Sequence, residues 1–259
     1  MIKKIVFFIF LYALSMLPWI PVYIAKNPVV KEIAWLLGAV FSLPLLLLLI
    51  RKSKMIPSHQ LSMRDRPWKH HIGPGFIIGL SGFILYFGLR WLLGGFIVEN
   101  TLPLMQLIPT LLMTLIYTLY IAITEEFIYR GYLLSAMREA MTLSHAILLS
   151  IGIFLLGHLP QGHHLLHSPY AVHIVTMGLV FTYAYLCTGS IWLGIGIHWG
   201  WNMGGFTEDR VLILDHKTMS SWGNPLSWIY IAVDLLLLLM IMQRYGRNKR
   251  RSFTNDTPS

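Results

Sequence analysis

Charge is what this sequence has least of. Charged residues make up 12% of the 259-residue chain, against about 25% in soluble domains. Acidic residues are the scarcer kind, eleven against twenty Lys and Arg. Cysteine occurs once, at Cys187, which excludes an internal disulfide and says little about redox compartment. No internal repeat is evident, and the only low-complexity piece is the polar stretch from Arg247 to Ser259. The zinc-protease signature His-Glu-x-x-His is absent.

What is present is apolar. Hydrophobic residues reach 56%, mean hydropathy is +0.63, and runs such as Leu43–Ile50 and Leu235–Met242 carry no charge. These features imply an all-α polytopic transmembrane helix bundle forming one compact domain. Eight spans are expected, at about 5–24, 33–50, 73–97, 104–137, 142–159, 170–187, 190–204 and 225–243. The fourth is long and the seventh short. Lys3 and Lys4 before the apolar run Ile5–Ile24 resemble a signal peptide, but no small-residue cleavage site follows, and Pro18, Trp19 and Pro21 sit near its end; the run is read as a retained first helix. Residues 1–246 are thus the membrane domain and 247–259 a disordered cytoplasmic tail.

The net charge of +9 does not argue for a nucleic-acid partner. Arg51, Lys52, Lys54, Arg64, Arg66 and Lys69 share one loop, and Arg244, Arg247, Lys249, Arg250 and Arg251 end the chain. With eight spans these fall on the same side as Lys3, Lys4, Arg130 and Arg138, which puts both termini in the cytoplasm. The opposite loops carry Glu99, Glu208, Asp209 and Asp215, with Lys26 and Lys31 as exceptions.

Ionisable groups inside a bilayer are costly, so each marks a candidate functional site. Glu125 and Glu126 are adjacent in the fourth span and point about 100° apart in a helix. Glu126 stands four residues before Arg130, the favourable order for an ion pair, which leaves Glu125 freer to act. In apolar surroundings a carboxylate becomes a better acceptor of a proton from water. The alternative is a buried ion pair that only locks helices. His158 ends the fifth span. Antiparallel helices folded about residue 141 put position 125 opposite position 157, so Glu125 and His158 reach similar depth by equal rise. Phe154, one turn earlier on the same face, could wall the pocket. His198 and Asn202 share one helix face and could both donate to a developing oxyanion; the alternative is helix packing with Trp199 and Trp201 at an interface. Gly194, Gly196 and Gly200 thin that helix and permit close approach of a neighbour. His163 and His167, with His164, could bind a metal but read as an exposed loop. Arg90 and Asp234, each alone in an apolar span, are read as structural, pairing with each other or Arg90 with Glu99.

Glu-Glu-x-x-x-Arg at 125–130, Phe-x-x-x-His at 154–158 and His-x-x-x-Asn at 198–202 resemble, in order, the three motifs of the CPBP family, the CAAX proteases and bacteriocin-processing enzymes also called Abi proteins. The resemblance covers roughly residues 105–205. It implies an intramembrane glutamic endopeptidase with an eight-span helical core, acting on a peptide or protein substrate at the membrane. Carried over, Glu125 would be the general base, His158 would help orient the water, His198 and Asn202 would form the oxyanion hole, and Glu126 and Arg130 would support the first helix. Compact size suggests a bacterial plasma-membrane protein. No cofactor is required on this reading. Two others stay open: a non-enzymatic membrane interaction or self-immunity protein, since some family members act as partners of sensor kinases or transporters, and a Zn²⁺ peptidase using the same Glu and histidines.

Overall fold

The computed structural model describes residues 2–20, 24–54, 67–159, 168–216 and 222–254. Among these described residues, eight principal helices occupy the eight expected positions: α1 (Ile2–Met16), α2 (Pro28–Ser53), α3 (Pro67–Leu92), α4 (Leu104–Glu125, continued to Arg138), α5 (Leu143–Gly157), α6 (Pro169–Thr188), α7 (Ile191–Val211) and α8 (Ile229–Thr254). The fold is an all-α polytopic bundle. Large apolar side chains face outward along it, among them Phe41, Leu104, Met105 and Leu148, as a lipid-facing surface requires.

Among the described residues, five helices are long and apolar enough to cross a membrane unaided: α2, α3, α4, α6 and α8. Helix α5 has 15 residues, about 22 Å, short of the roughly 30 Å hydrocarbon layer, whereas α1, also of 15 residues, runs on through a 3-10 turn at Leu17–Trp19. Helix α7 has 21 residues but carries His198, Asn202, Glu208, Asp209 and Arg210.

Local sequence fixes several helix ends. Asn27 caps α2 by accepting from the N–H groups of Val29 (2.9 Å) and Val30 (3.3 Å), with Pro28 in the first turn. Gly189 ends α6 at φ +65°, a left-handed conformation that costs glycine nothing. Ser190 then caps α7 by accepting from Trp192 N–H at 3.3 Å. The α4–α5 turn lies between Arg138 and Leu143, where the depth-matching of Glu125 and His158 requires it.

Three features depart from the sequence reading. The third helix stops at Leu92, and Phe96–Thr101 forms a strand, β1, antiparallel to β2 (Leu212–His216), with Ile97 opposite Asp215 and Thr101 opposite Leu212. Gly94 at φ +71° and the bond from Gly95 N–H to Arg90 O (2.8 Å) break the helix, and the β-branched Ile97, Val98 and Thr101 suit the ribbon. Second, Glu126–Leu134 is a π-helix whose nine residues are all buried; such widened turns favour functional sites. Third, α8 runs to Thr254, past Arg247, where a disordered tail was expected; residues 255–259 lie outside the described residues.

Helices α3 and α7 meet backbone to backbone through glycines on both. A Cβ on Gly79 would lie 2.0 Å from Ile197 O, on Gly196 2.3 Å from Ile72 O, and on Gly200 2.1 Å from Phe76 O. The expected close approach at Gly196 and Gly200 is thus met by Gly75 and Gly79 of α3, a small-residue interface of the membrane type. Gly79→Ala should destabilise the bundle by roughly 1–3 kcal/mol, because only backbone stands in the way. A clear drop in melting temperature of the detergent-purified protein is the expected readout. Gly152→Ala, where nothing lies within 4 Å, should leave it unchanged.

Candidate active site

The cavity of interest lies between α1, α4, α5, α6 and α7 and has a volume of about 310 Å³. Glu125, His158, His198 and Asn202 all line it, although they come from three helices. Tyr12, Trp19, Tyr129, Tyr170 and Phe206 supply aromatic wall.

Glu125 is the last residue of the α segment of α4 and Glu126 the first of the π segment. The two carboxylates take different environments. Glu126 is 1% exposed and accepts from Arg130 Nη1 at 2.8 Å. Arg130 in turn donates from Nη2 to Gly178 O at 3.2 Å, and its guanidinium lies over Phe154 and Phe181 at 4.4 and 5.0 Å from the ring centres. The expected ion pair is present, and it is part of a packed cluster. Gly194 makes room for it, since a Cβ there would come within 3.1 Å of Glu126 Oε2.

His198 connects the two glutamates. Its Nδ1 lies 3.1 Å from Glu126 Oε1, and its Nε2 lies 3.8 Å from Glu125 Oε2. A carboxylate can only accept, so Nδ1 carries the proton toward Glu126. The ring also stacks on Phe181, with centroids 4.6 Å apart and planes 13° apart. Imidazole orientation is fixed on two sides, leaving Nε2 toward the cavity. Glu125 Oε2 is buried and makes no hydrogen bond among the described residues. Leaving such an oxygen unsatisfied is expensive, and the site is roomy and polar enough to accommodate a water between it and the imidazole.

His158 caps the end of α5. Its Nδ1 donates to Phe154 O at 2.8 Å, which turns Nε2 outward. Tyr12 OH donates to the neighbouring Gly157 O at 2.7 Å, tying α1 to this corner. Phe154 does not wall the cavity as the sequence suggested. It stands behind it, edge-on to His158 (4.6 Å) and under Arg130.

The pairings expected for Arg90 and Asp234 are both overturned. Arg90 pairs with Glu208 at 2.9 Å, between the rings of Tyr86 and Phe96. Asp234 accepts from His173 Nδ1 at 2.8 Å and, through a very short bond, from Thr176. His173 was not singled out in the sequence, although the same rule that flagged Asp234 applies to a histidine in an apolar span. It lies beside Tyr170, ring centres 5.3 Å apart, and so borders the cavity wall. His163, His164 and His167 fall outside the described residues. Among the described residues, no three His, Cys, Asp or Glu side chains group closely enough to hold a metal ion.

The cavity thus gathers a carboxylate, two imidazoles and an amide within an apolar helix bundle. Residues 107–204 match the family model described as type II CAAX prenyl endopeptidase Rce1-like. That stretch contains all three motifs. No curated protein and no solved structure matches the chain.

Proposed function

We propose that the protein is an intramembrane endopeptidase that hydrolyses a peptide bond with a water activated by Glu125. The observation that carries this is the Glu125 Oε2 atom, buried and without a hydrogen bond among the described residues, on the wall of a cavity shared with His158, His198 and Asn202. Glu125 accepts a proton from water as the water oxygen bonds to the peptide carbonyl carbon. His158, whose ring is held by Phe154 O, accepts the water's second hydrogen bond and sets its direction. The negative charge that forms on the carbonyl oxygen is met by the Asn202 amide and by His198 Nε2–H, with His198 carrying both ring protons and Nδ1–H held by Glu126. Glu125 then returns its proton to the leaving nitrogen as the C–N bond breaks. Glu126 and Arg130 hold the helix and His198 in place and do not touch the substrate.

The same reading treats residues 1–246 as one membrane domain around the motif core 105–205, in a bacterial plasma membrane with both termini cytoplasmic. Basic residues support that orientation.

The test is cleavage of apolar peptides by the protein purified in detergent, with products read by mass spectrometry. Asn202→Ala should lower kcat by about 10²–10³-fold without abolishing turnover, because one oxyanion donor of two is lost. Chelators should leave the rate unchanged, whereas a Zn²⁺ peptidase would be stripped and lose it. Full turnover by Asn202→Ala would remove the amide from the oxyanion site.

A further inference from the structure

Two locally unfavourable features of the chain meet at one oxygen atom. The first is a buried phenol. Tyr129 lies in the π segment of α4 and is 2% exposed. Its ring packs edge-on against Phe8 of α1 and Phe154 of α5, with centroids 5.7 and 5.0 Å away. It lines the cavity together with Glu125, four residues earlier. The hydroxyl makes no hydrogen bond among the described residues. Burying a hydroxyl without a partner is costly, and phenylalanine would fill the same space without that cost. The oxygen therefore needs a reason of its own.

The second feature is Gly157, in the last turn of α5. Glycine weakens a helix relative to alanine. Here a Cβ would lie 2.2 Å from Tyr129 Oη, while the next nearest atoms, Tyr129 Cζ and Tyr12 Cε2, would be 3.4 and 3.6 Å away, in ordinary contact. The missing side chain makes room for the hydroxyl oxygen and for little else. That oxygen is thereby seated at the corner of the cavity next to His158. Tyr12 OH fixes the same corner by donating to Gly157 O at 2.7 Å, and Glu125, Tyr12 and Arg130 lie within electrostatic reach of the phenol.

Resting on the peptidase reading, we propose that Tyr129 is a further catalytic residue, whose hydroxyl donates a hydrogen bond to the water that Glu125 activates. A water oxygen carries two hydrogens and two lone pairs. Its hydrogens go to Glu125 and His158. A donor on one lone pair leaves the other, and with three contacts fixed that lone pair has a single direction, toward the carbonyl carbon. Tyrosine suits the task because a phenol ordinarily keeps its proton up to about pH 10, so it donates while remaining uncharged in an apolar wall. No additional proton changes hands. The proton taken from water goes to Glu125 and then to the leaving nitrogen, and Tyr129 retains its own.

Tyr129→Phe removes the oxygen and keeps the ring against Phe8 and Phe154. In the full chain purified in detergent, kcat for an apolar peptide should fall roughly 10-fold, with KM and melting temperature unchanged. Tyr132→Phe deletes a hydroxyl of the same π segment that donates instead to Lys4 O at 3.2 Å, and it should leave kcat unchanged. Gly157→Ala should lower both kcat and melting temperature, because its Cβ displaces the Tyr129 hydroxyl. The double variant Tyr129→Phe/Gly157→Ala should regain the melting temperature and keep the kcat of Tyr129→Phe, since both changes act through one atom. A Tyr129→Phe kcat equal to that of the unmodified chain overturns the proposal. So does a loss that appears in KM or accompanies a lower melting temperature, or a further fall of kcat in the double variant. An inactive Glu125→Gln beside a fully active Tyr129→Phe removes the role of Tyr129 alone, whereas full cleavage by Glu125→Gln, or none by the unmodified chain, removes the peptidase reading beneath it.

Discussion

Glu125→Gln should abolish peptide cleavage while the protein accumulates in the membrane at the level of the unmodified chain. The amide is nearly the size of the carboxylate but cannot take a proton from water, and loss of a general base costs about 10²–10⁴-fold. Folding should be indifferent because Glu125 carries no structural bond: its Oε2 has no hydrogen bond among the described residues, and the nearest cation-forming group, His198 Nε2, stands 3.8 Å away. The amide also keeps the shape of the side chain, so melting temperature should stay level. His158→Ala should match the loss of cleavage, since its outward Nε2 is the only part of the ring not committed to Phe154 O. Cleavage by Glu125→Gln at the rate of the unmodified chain would remove the peptidase reading, and a full biological effect without cleavage would favour a partner-binding membrane protein.

The positions of the helices were legible because apolar runs and their polar breaks are set by the bilayer, whatever the neighbours. Glu126 with Arg130 was legible because both lie on one helix four residues apart. That Glu125 and His158 line one cavity is in keeping with a single turn and equal rise on either side of it. Long-range choices were not legible. An intramembrane Arg90 or Asp234 announces that a partner is needed, but Glu208 and His173, 118 and 61 residues away, are selected by helix packing. The same holds for His198 reaching Glu126 across 72 residues, which changed its expected part from a plain donor to a ring held between two carboxylates. The π-helix left no trace either. All nine of its residues are buried, so there is no polar face from which a period could be read. The β1–β2 ribbon was hidden for a related reason: Phe96, Ile97 and Val98 continue the apolar run of α3, and only Gly94 and Gly95 separate helix from strand.

Arg130→Ala should act on the protein before it acts on the chemistry. Arg130 is 2% exposed and Glu126 is 1% exposed, and removing one member of such a pair leaves a buried charge without compensation, at roughly 3–5 kcal/mol. The loss spreads further here. Gly178 O loses its donor, and Phe154 and Phe181 lose the cation between them. Phe181 is the ring on which His198 stacks, and Phe154 supplies the carbonyl that holds His158, so both histidines lose support together. Membrane abundance and melting temperature of Arg130→Ala should fall well below those of Glu125→Gln, and whatever protein survives should cleave poorly. Arg130→Lys keeps the charge but cannot bridge Glu126 and Gly178 O with a planar fork, so it should recover part of the abundance and little of the activity. The double variant Glu126→Gln/Arg130→Met removes both charges at once. It should accumulate better than Arg130→Ala, because no uncompensated carboxylate remains. Normal abundance of Arg130→Ala with activity alone reduced would instead place Arg130 within the chemistry.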